Sequence, residues 1–180
     1  MPRWITFLRA INVGGHTVKM EHLRKLFEAL EFRKVETFIA SGNVIFEADV
    51  TKPQAIQTQI EHHLRQSLGY EVATFLRAPS EVATVASYKP FPVSELEAEG
   101  TALYVAFLSA APTGAARDKL MGFRSEVNDF HIHQREVYWL CRRKMSESAF
   151  SGGLLEKTLG MPATLRNSTT VKRLATKYAP

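Results

Sequence analysis

Two hydrophobic periods alternate along this chain. Residues 4 to 9, WITFLR, form an apolar run that predicts a strand buried on both faces. Beyond a pair of glycines, Met20, Leu23, Leu26, Phe27 and Leu30 recur at three- and four-residue spacing, the stripe of an amphipathic helix. Two β-rich runs, 35 to 39 and 43 to 48, flank Ser41-Gly42-Asn43, residue types that tolerate the positive φ of a hairpin turn. From Pro53 the apolar positions Ile56, Ile60, Leu64 and Leu68 repeat every four residues and stop at Gly69, a helix with a proline-compatible start and a glycine end. A strand over 71 to 76 completes the order strand, helix, strand, strand, helix, strand, the βαββαβ arrangement of a ferredoxin-like unit.

A proline-interrupted stretch from Ser87 to Gly100 lacks a clear period and predicts a connection. The pattern then restarts. ALYVAFLS, residues 102 to 109, predicts a strand, 113 to 123 a helix, and VNDFHIH and EVYWLCR a hairpin turning at Gln134-Arg135. SESAFSGGLLEKTLG and STTVKRLATKYA predict a helical tail. The expected fold is α+β: two tandem ferredoxin-like halves, antiparallel sheets with helices packed on one face, plus a C-terminal helical segment. The halves span residues 1–86 and 101–180, joined by 87–100.

The composition fits a soluble globular chain. Hydrophobic residues make up 45% of the 180, and no apolar run approaches the roughly 20 residues of a membrane span. The amino terminus lacks the charged, apolar and small-residue segments of a leader, so the expected location is the cytoplasm. A single cysteine, Cys141, excludes an internal disulfide and a multi-cysteine zinc site, and its setting after VYWL predicts an inert buried thiol. Charge is uneven: residues 142 to 180 carry +6, eight cations against Glu147 and Glu156, while the other 141 residues sum to −1, giving the net +5. A basic segment on a near-neutral body points to an anionic partner.

Two stretches stand out as anion sites. In RAINVGGHTVKM, Gly14 and Gly15 lie between strand and helix, where backbone amides and the helix dipole favour negative charge; Arg9 and Lys19 flank them, and Asn12 is a polar residue at an apolar strand exit. The stretch matches neither G-x-G-x-x-G nor G-x-x-x-x-G-K-[ST]. In TLRNSTTVKRL, Asn167 and Ser168 suit an N-cap, while Arg166, Lys172 and Arg173 crowd the same helix start with cations. The expected ligand is a nucleotide or phosphorylated small molecule in a cleft joining the Gly14-Gly15 loop to Arg166, with Asn167 and Lys172 beside it. Two alternatives follow: an enzyme acting on a phosphorylated or carboxylated small molecule in that cleft, and nucleic-acid binding through the basic C-terminal segment. No general acid or base stands out. No cofactor motif is present, and His131 and His133, which share a strand face, lack a third metal ligand.

The stretches FLRAINVGGHTVKMEHLRKLFEALEF, FIASGNVIFEA and LEKTLGMPATLRNSTTVKRL resemble, in order, three signatures of a bacterial family catalogued as domain of unknown function 1697. The resemblance implies paired ferredoxin-like α+β halves and no particular reaction. This chain carries Ala10 where the family opening has a glycine, and Ser168 where its closing signature has a tryptophan.

Overall fold

The structure is a computed structural model that describes residues 1–11, 15–49 and 52–180. The first half runs β1 (Arg3–Leu8), α1 (Met20–Glu28), β2 (Arg33–Thr37), β3 (Asn43–Glu47), α2 (Pro53–Leu68) and β4 (Thr74–Arg77). Next come α3 (Pro79–Ser87) and a short α4 (Val93–Leu96). The second half follows as β5 (Ala102–Leu108), α5 (Gly114–Met121), β6 (Asn128–His133), β7 (Glu136–Cys141), α6 (Gly152–Leu159), β8 (Ala163–Asn167) and α7 (Ser168–Lys177). Both sheets are four-stranded and antiparallel, ordered β2-β3-β1-β4 and β6-β7-β5-β8. Taking each half from its own first strand, these are one order, and the expected pair of ferredoxin-like halves is the fold. By compactness the chain divides into residues 1–82 with 178–180, and residues 83–177.

Each half has its own core on one face of its sheet. In the first, Leu23 and Phe27 of α1 and Ile56, Ile60 and Leu64 of α2 pack on Trp4, Leu8, Val44, Phe46 and Leu76. Each such fully buried side chain contributes roughly 1.5–3 kcal/mol. The α2 helix ends as its sequence predicts, with Gly69 left-handed at φ 83 and its amide donating to Arg65 O. In the second, Leu120 of α5 and Leu155 of α6 meet Phe130, Ile132, Val137 and Trp139. Trp139 donates its indole N–H to Asn128 Oδ1 at 2.8 Å, and Cys141 is fully buried.

The structure differs from the sequence pattern at several elements. β2 stops at Thr37 rather than continuing to 39, because Ile39 takes φ 53, a left-handed conformation no strand accommodates. The fourth strand of the first half begins at Thr74, not 71. The Pro79–Ser87 helix and the α4 turn occupy residues for which no helical stripe was apparent. Residues 163–167, expected only as the approach to a helix, form β8, an edge strand on β5.

β8 exposes a repeat that residue identity alone hides. In register, Arg77 lies opposite Ile5 and Thr74 opposite Leu8; in the second half Arg166 lies opposite Val105 and Ala163 opposite Leu108. Both arginines are buried, at 1% and 7% exposure, and each donates Nη1–H to the carbonyl of the residue before it at 2.9 Å. A helix follows at once in both cases. The duplicated unit is therefore βαββαβα, with α3 and α7 as counterparts.

Candidate functional site

Of the residues singled out in the first half, Asn12 and Gly14 lie outside the described residues. Gly15 is exposed at φ 86 with open space where a Cβ would stand, so its conformation rather than crowding calls for glycine. The helix does not open directly after the glycines. It begins at Met20 with Lys19 at the cap position, where no side chain caps it. Glu21 supplies the acid its first turn favours, paired with Arg24, whose guanidinium holds the carboxyl below its ordinary range. Arg9 donates its amide to Ala73 O at 3.0 Å.

What the first half does bring together is two of the three signature stretches. Leu8 N–H donates to Gly42 O at 2.9 Å, and a Cβ on Gly42, at φ 86, would stand 3.1 Å from Ile11 Cβ and Cγ2 and 3.3 Å from Leu8 Cβ. The FIASGN turn is thus closed onto the exit of β1. Asn43, fully buried, donates Nδ2–H to Phe38 O and Ser41 Oγ, both at 2.9 Å, locking that turn. Ala10 at φ 55 and Ile39 at φ 53 carry backbone conformations that cost non-glycine residues about 1–2 kcal/mol each.

In the second half, Arg166, Asn167 and Lys172 take three different roles. Arg166 donates to Thr164 Oγ1 at 2.7 Å as well as to Leu165 O, and burial pushes its guanidinium down to about 10, still cationic at neutral pH. Asn167 Oδ1 accepts from Thr169 N at 2.9 Å, so its side chain caps α7. With α7 starting at Ser168, Lys172 falls beyond the first turn. There it borders a cavity.

That cavity, of about 40 Å³, has Leu103, Val105 and Tyr138 of the sheet as its floor and Ser168, Val171 and Lys172 of α7 on one side. Tyr88 and Lys89, just past α3, line it as well. Tyr88 is fixed from several directions: its ring stacks on His133 at 4.2 Å, lies 5.1 Å from Tyr138, and its hydroxyl is 2.7 Å from His131 Nε2. Burial pushes the Tyr138 hydroxyl above its ordinary range, with the charge of Glu136 next, so it stays protonated at neutral pH. Desolvation, followed by His133 and Arg117, lowers His131, which keeps that imidazole neutral near pH 7. Two lysines, two tyrosines and a serine thus border one small, partly apolar hollow.

The family described as "Protein of unknown function (DUF1697)" matches residues 1–138. The chain belongs to that family. The match takes in the first two signature stretches together with Tyr88, Lys89, His131 and Tyr138, and ends before Arg166 and Lys172. No curated protein matches the chain. A solved structure, that of a conserved bacterial protein, SP0830, from Streptococcus pneumoniae, is similar over 98% of each chain, with a TM-score of 0.71 at 20% identity. At that identity the likeness concerns the fold.

Within this DUF1697 chain the single thiol is engaged in structure. Cys141 Sγ–H donates to Arg143 O at 3.0 Å from a buried position. Among the described residues, no group of three His, Cys, Asp or Glu side chains is placed to hold a metal ion, and no helix is long and apolar enough to cross a membrane. Sequence reasoning reached Lys172 and Arg166 through their clash with the helix dipole. It passed over Tyr88 and Lys89, which stand in the proline-rich connection far from Tyr138 and Lys172 in sequence. The one signal toward them was the period-two pairing of His131 and His133 on a strand face.

Proposed function

We propose that this protein is a cytoplasmic binder of an anionic ligand, a nucleotide or phosphorylated small molecule, and that the second-half cavity beside α7 seats its anionic group. The observation that carries this reading is the convergence of Lys89 and Lys172 on one cavity that also has Ser168 at the start of α7 and the tyrosines Tyr88 and Tyr138. Two cations on separate chain segments act on one anion without either filling the hollow, and the start of the ten-residue α7, capped by Asn167, adds a favourable dipole. Such a group gains from partial desolvation, since charge-assisted hydrogen bonds strengthen as the effective dielectric falls. Arg166 supports the floor from the neighbouring strand, opposite Val105.

The test is a titration of the full chain with inorganic phosphate, pyrophosphate and adenosine monophosphate, followed by heteronuclear NMR. The amides of Lys89, Ser168 and Lys172 are expected to shift together, and Lys172→Glu to weaken binding at least about tenfold, the effect of reversing one charge near an anion. Shifts confined to other residues, or a Lys172→Glu protein that binds as tightly as the parent, would sink the reading.

A further inference from the structure

We infer that Tyr88 is a ligand-binding residue aimed by His131, so that an anion entering the cavity is bound together with one proton taken up at His131. This rests on the cavity being the anion seat proposed above. The geometry sets the logic. A phenol has one proton to donate, and the Tyr88 oxygen is 2.7 Å from His131 Nε2. When Nε2 is a bare acceptor, that proton is committed to the imidazole, and Tyr88 offers only lone pairs, which repel an anion. When Nε2 carries hydrogen, the imidazole becomes the donor and the hydroxyl proton is released to the cavity that Tyr88 lines. Protonation of His131 makes Nε2 a donor whatever Nδ1 bonds, and puts a positive charge next to the ligand. The hydroxyl cannot swing away to escape this choice, because the ring is stacked on His133 with planes 11° apart and packed on Tyr138.

The surroundings of His131 favour coupling over permanent charge. On its own strand it shares a face with Asp129 and His133; on β7 Tyr138 lies directly opposite and Glu136 lies opposite His133. Tyr88 and Phe91 cover it from the segment after α3. Arg117 of α5 repels its charged form, while Asp129, which would favour it, is shared with Arg124 and Arg142 at 3.8 and 4.0 Å. Desolvation, His133 and Arg117 together outweigh Asp129, so the free protein holds His131 below the ordinary histidine value of 6.5. A bound anion opposes those influences and raises it. The sign follows: between the free and the bound value the complex holds more protons than the free protein, so affinity rises as pH falls through that window.

Sulfate is the discriminating probe, because it stays a dianion from pH 8 to 5, so any pH dependence belongs to the protein. Calorimetric titration of the full chain, in two buffers of different ionisation enthalpy, is expected to show sulfate affinity rising up to about tenfold per pH unit below neutrality, with uptake approaching one proton. Tyr88→Phe keeps the stacked ring and removes the hydroxyl; it is expected to lose most of that slope while retaining all six histidines. His131→Gln is expected to flatten the slope as well, and His22→Gln, on the exposed surface of α1, to preserve it. Sulfate bound with the same affinity at every pH, or a slope unchanged in Tyr88→Phe, overturns the coupling and leaves the anion seat standing; a tautomer change without proton uptake would appear as the first of these. No sulfate binding at any pH overturns both.

Discussion

At the end of its first strand each half makes the same hydrogen bond to the turn of its hairpin: Leu8 N–H to Gly42 O at 2.9 Å, and Leu108 N–H to Arg135 O at 3.0 Å. The scaffold therefore needs the bond and not the glycine. In the second half the hairpin is a tight Gln134-Arg135 turn, with one left-handed residue, and a full side chain stands at the acceptor position. In the first half the turn is longer, Ile39 and Gly42 are both left-handed, and the β1 exit has closed so tightly that a Cβ on Gly42 would press on Ile11 and Leu8 at 3.1 and 3.3 Å. A close approach made in one copy of a duplicated unit and not in the other is not a requirement of the fold. The second copy instead concentrates its departures in the cavity beside α7.

The largest expected effect falls on the feature the copies share. Arg77→Ala and Arg166→Ala each remove a buried guanidinium and leave buried carbonyls short of a donor, and each is expected to lower the unfolding free energy by about 3 kcal/mol in urea titrations. Equal losses mean the arginine belongs to the duplicated scaffold. A large loss for Arg77→Ala with none for Arg166→Ala would break the equivalence and return Arg166 to the role its sequence suggested, a cation reserved for a ligand.

The second effect measures where the copies differ. Gly42→Ala must adopt φ 86 and push against Ile11 and Leu8, at an expected cost of about 2–3 kcal/mol. Arg135→Ala, at the matching acceptor, has no such conflict and is expected to cost under about 1 kcal/mol. If both midpoints in denaturant move alike, the first hairpin is no more strained than the second.

How much of this was legible in sequence depended on whether the deciding interaction was local. The α1 and α2 stripes, the Gly69 stop and the Ser41-Gly42-Asn43 turn lie within a few residues of the chemistry that causes them, and they stand where the pattern put them. β8 was illegible because Arg166 and Asn167 carry no strand period; the segment is extended only because β5 lies beside it, some sixty residues earlier in the chain. The α3 helix was hidden by alanines, which carry little hydrophobic contrast, although Val82 and Val85 do sit three apart. The cavity was least legible, since Tyr88, Tyr138 and Lys172 come from three distant segments. A charge conflict at one helix start pointed to Lys172 alone.

The smallest expected effect concerns how the two copies start their last helix. Before α7, Asn167 turns its own side chain onto Thr169 N; before α3 the matching residue is Ala78, which has no acceptor to offer. There the carboxylate of Glu81 reaches back and accepts from Ala78 N at 2.7 Å, and Pro79 removes one of the amides that would need a partner. Different residues thus cap the two helices, and at different amides: Thr169 N before α7 and Ala78 N before α3. Asn167→Ala is expected to cost about 1 kcal/mol and Glu81→Ala somewhat less, because Pro79 has already reduced the debt. Glu81→Gln keeps an acceptor without charge, so its midpoint is expected between parent and Glu81→Ala. A Glu81→Gln midpoint equal to that of Glu81→Ala would mean that charge at the helix start, not the hydrogen bond, replaces the missing asparagine.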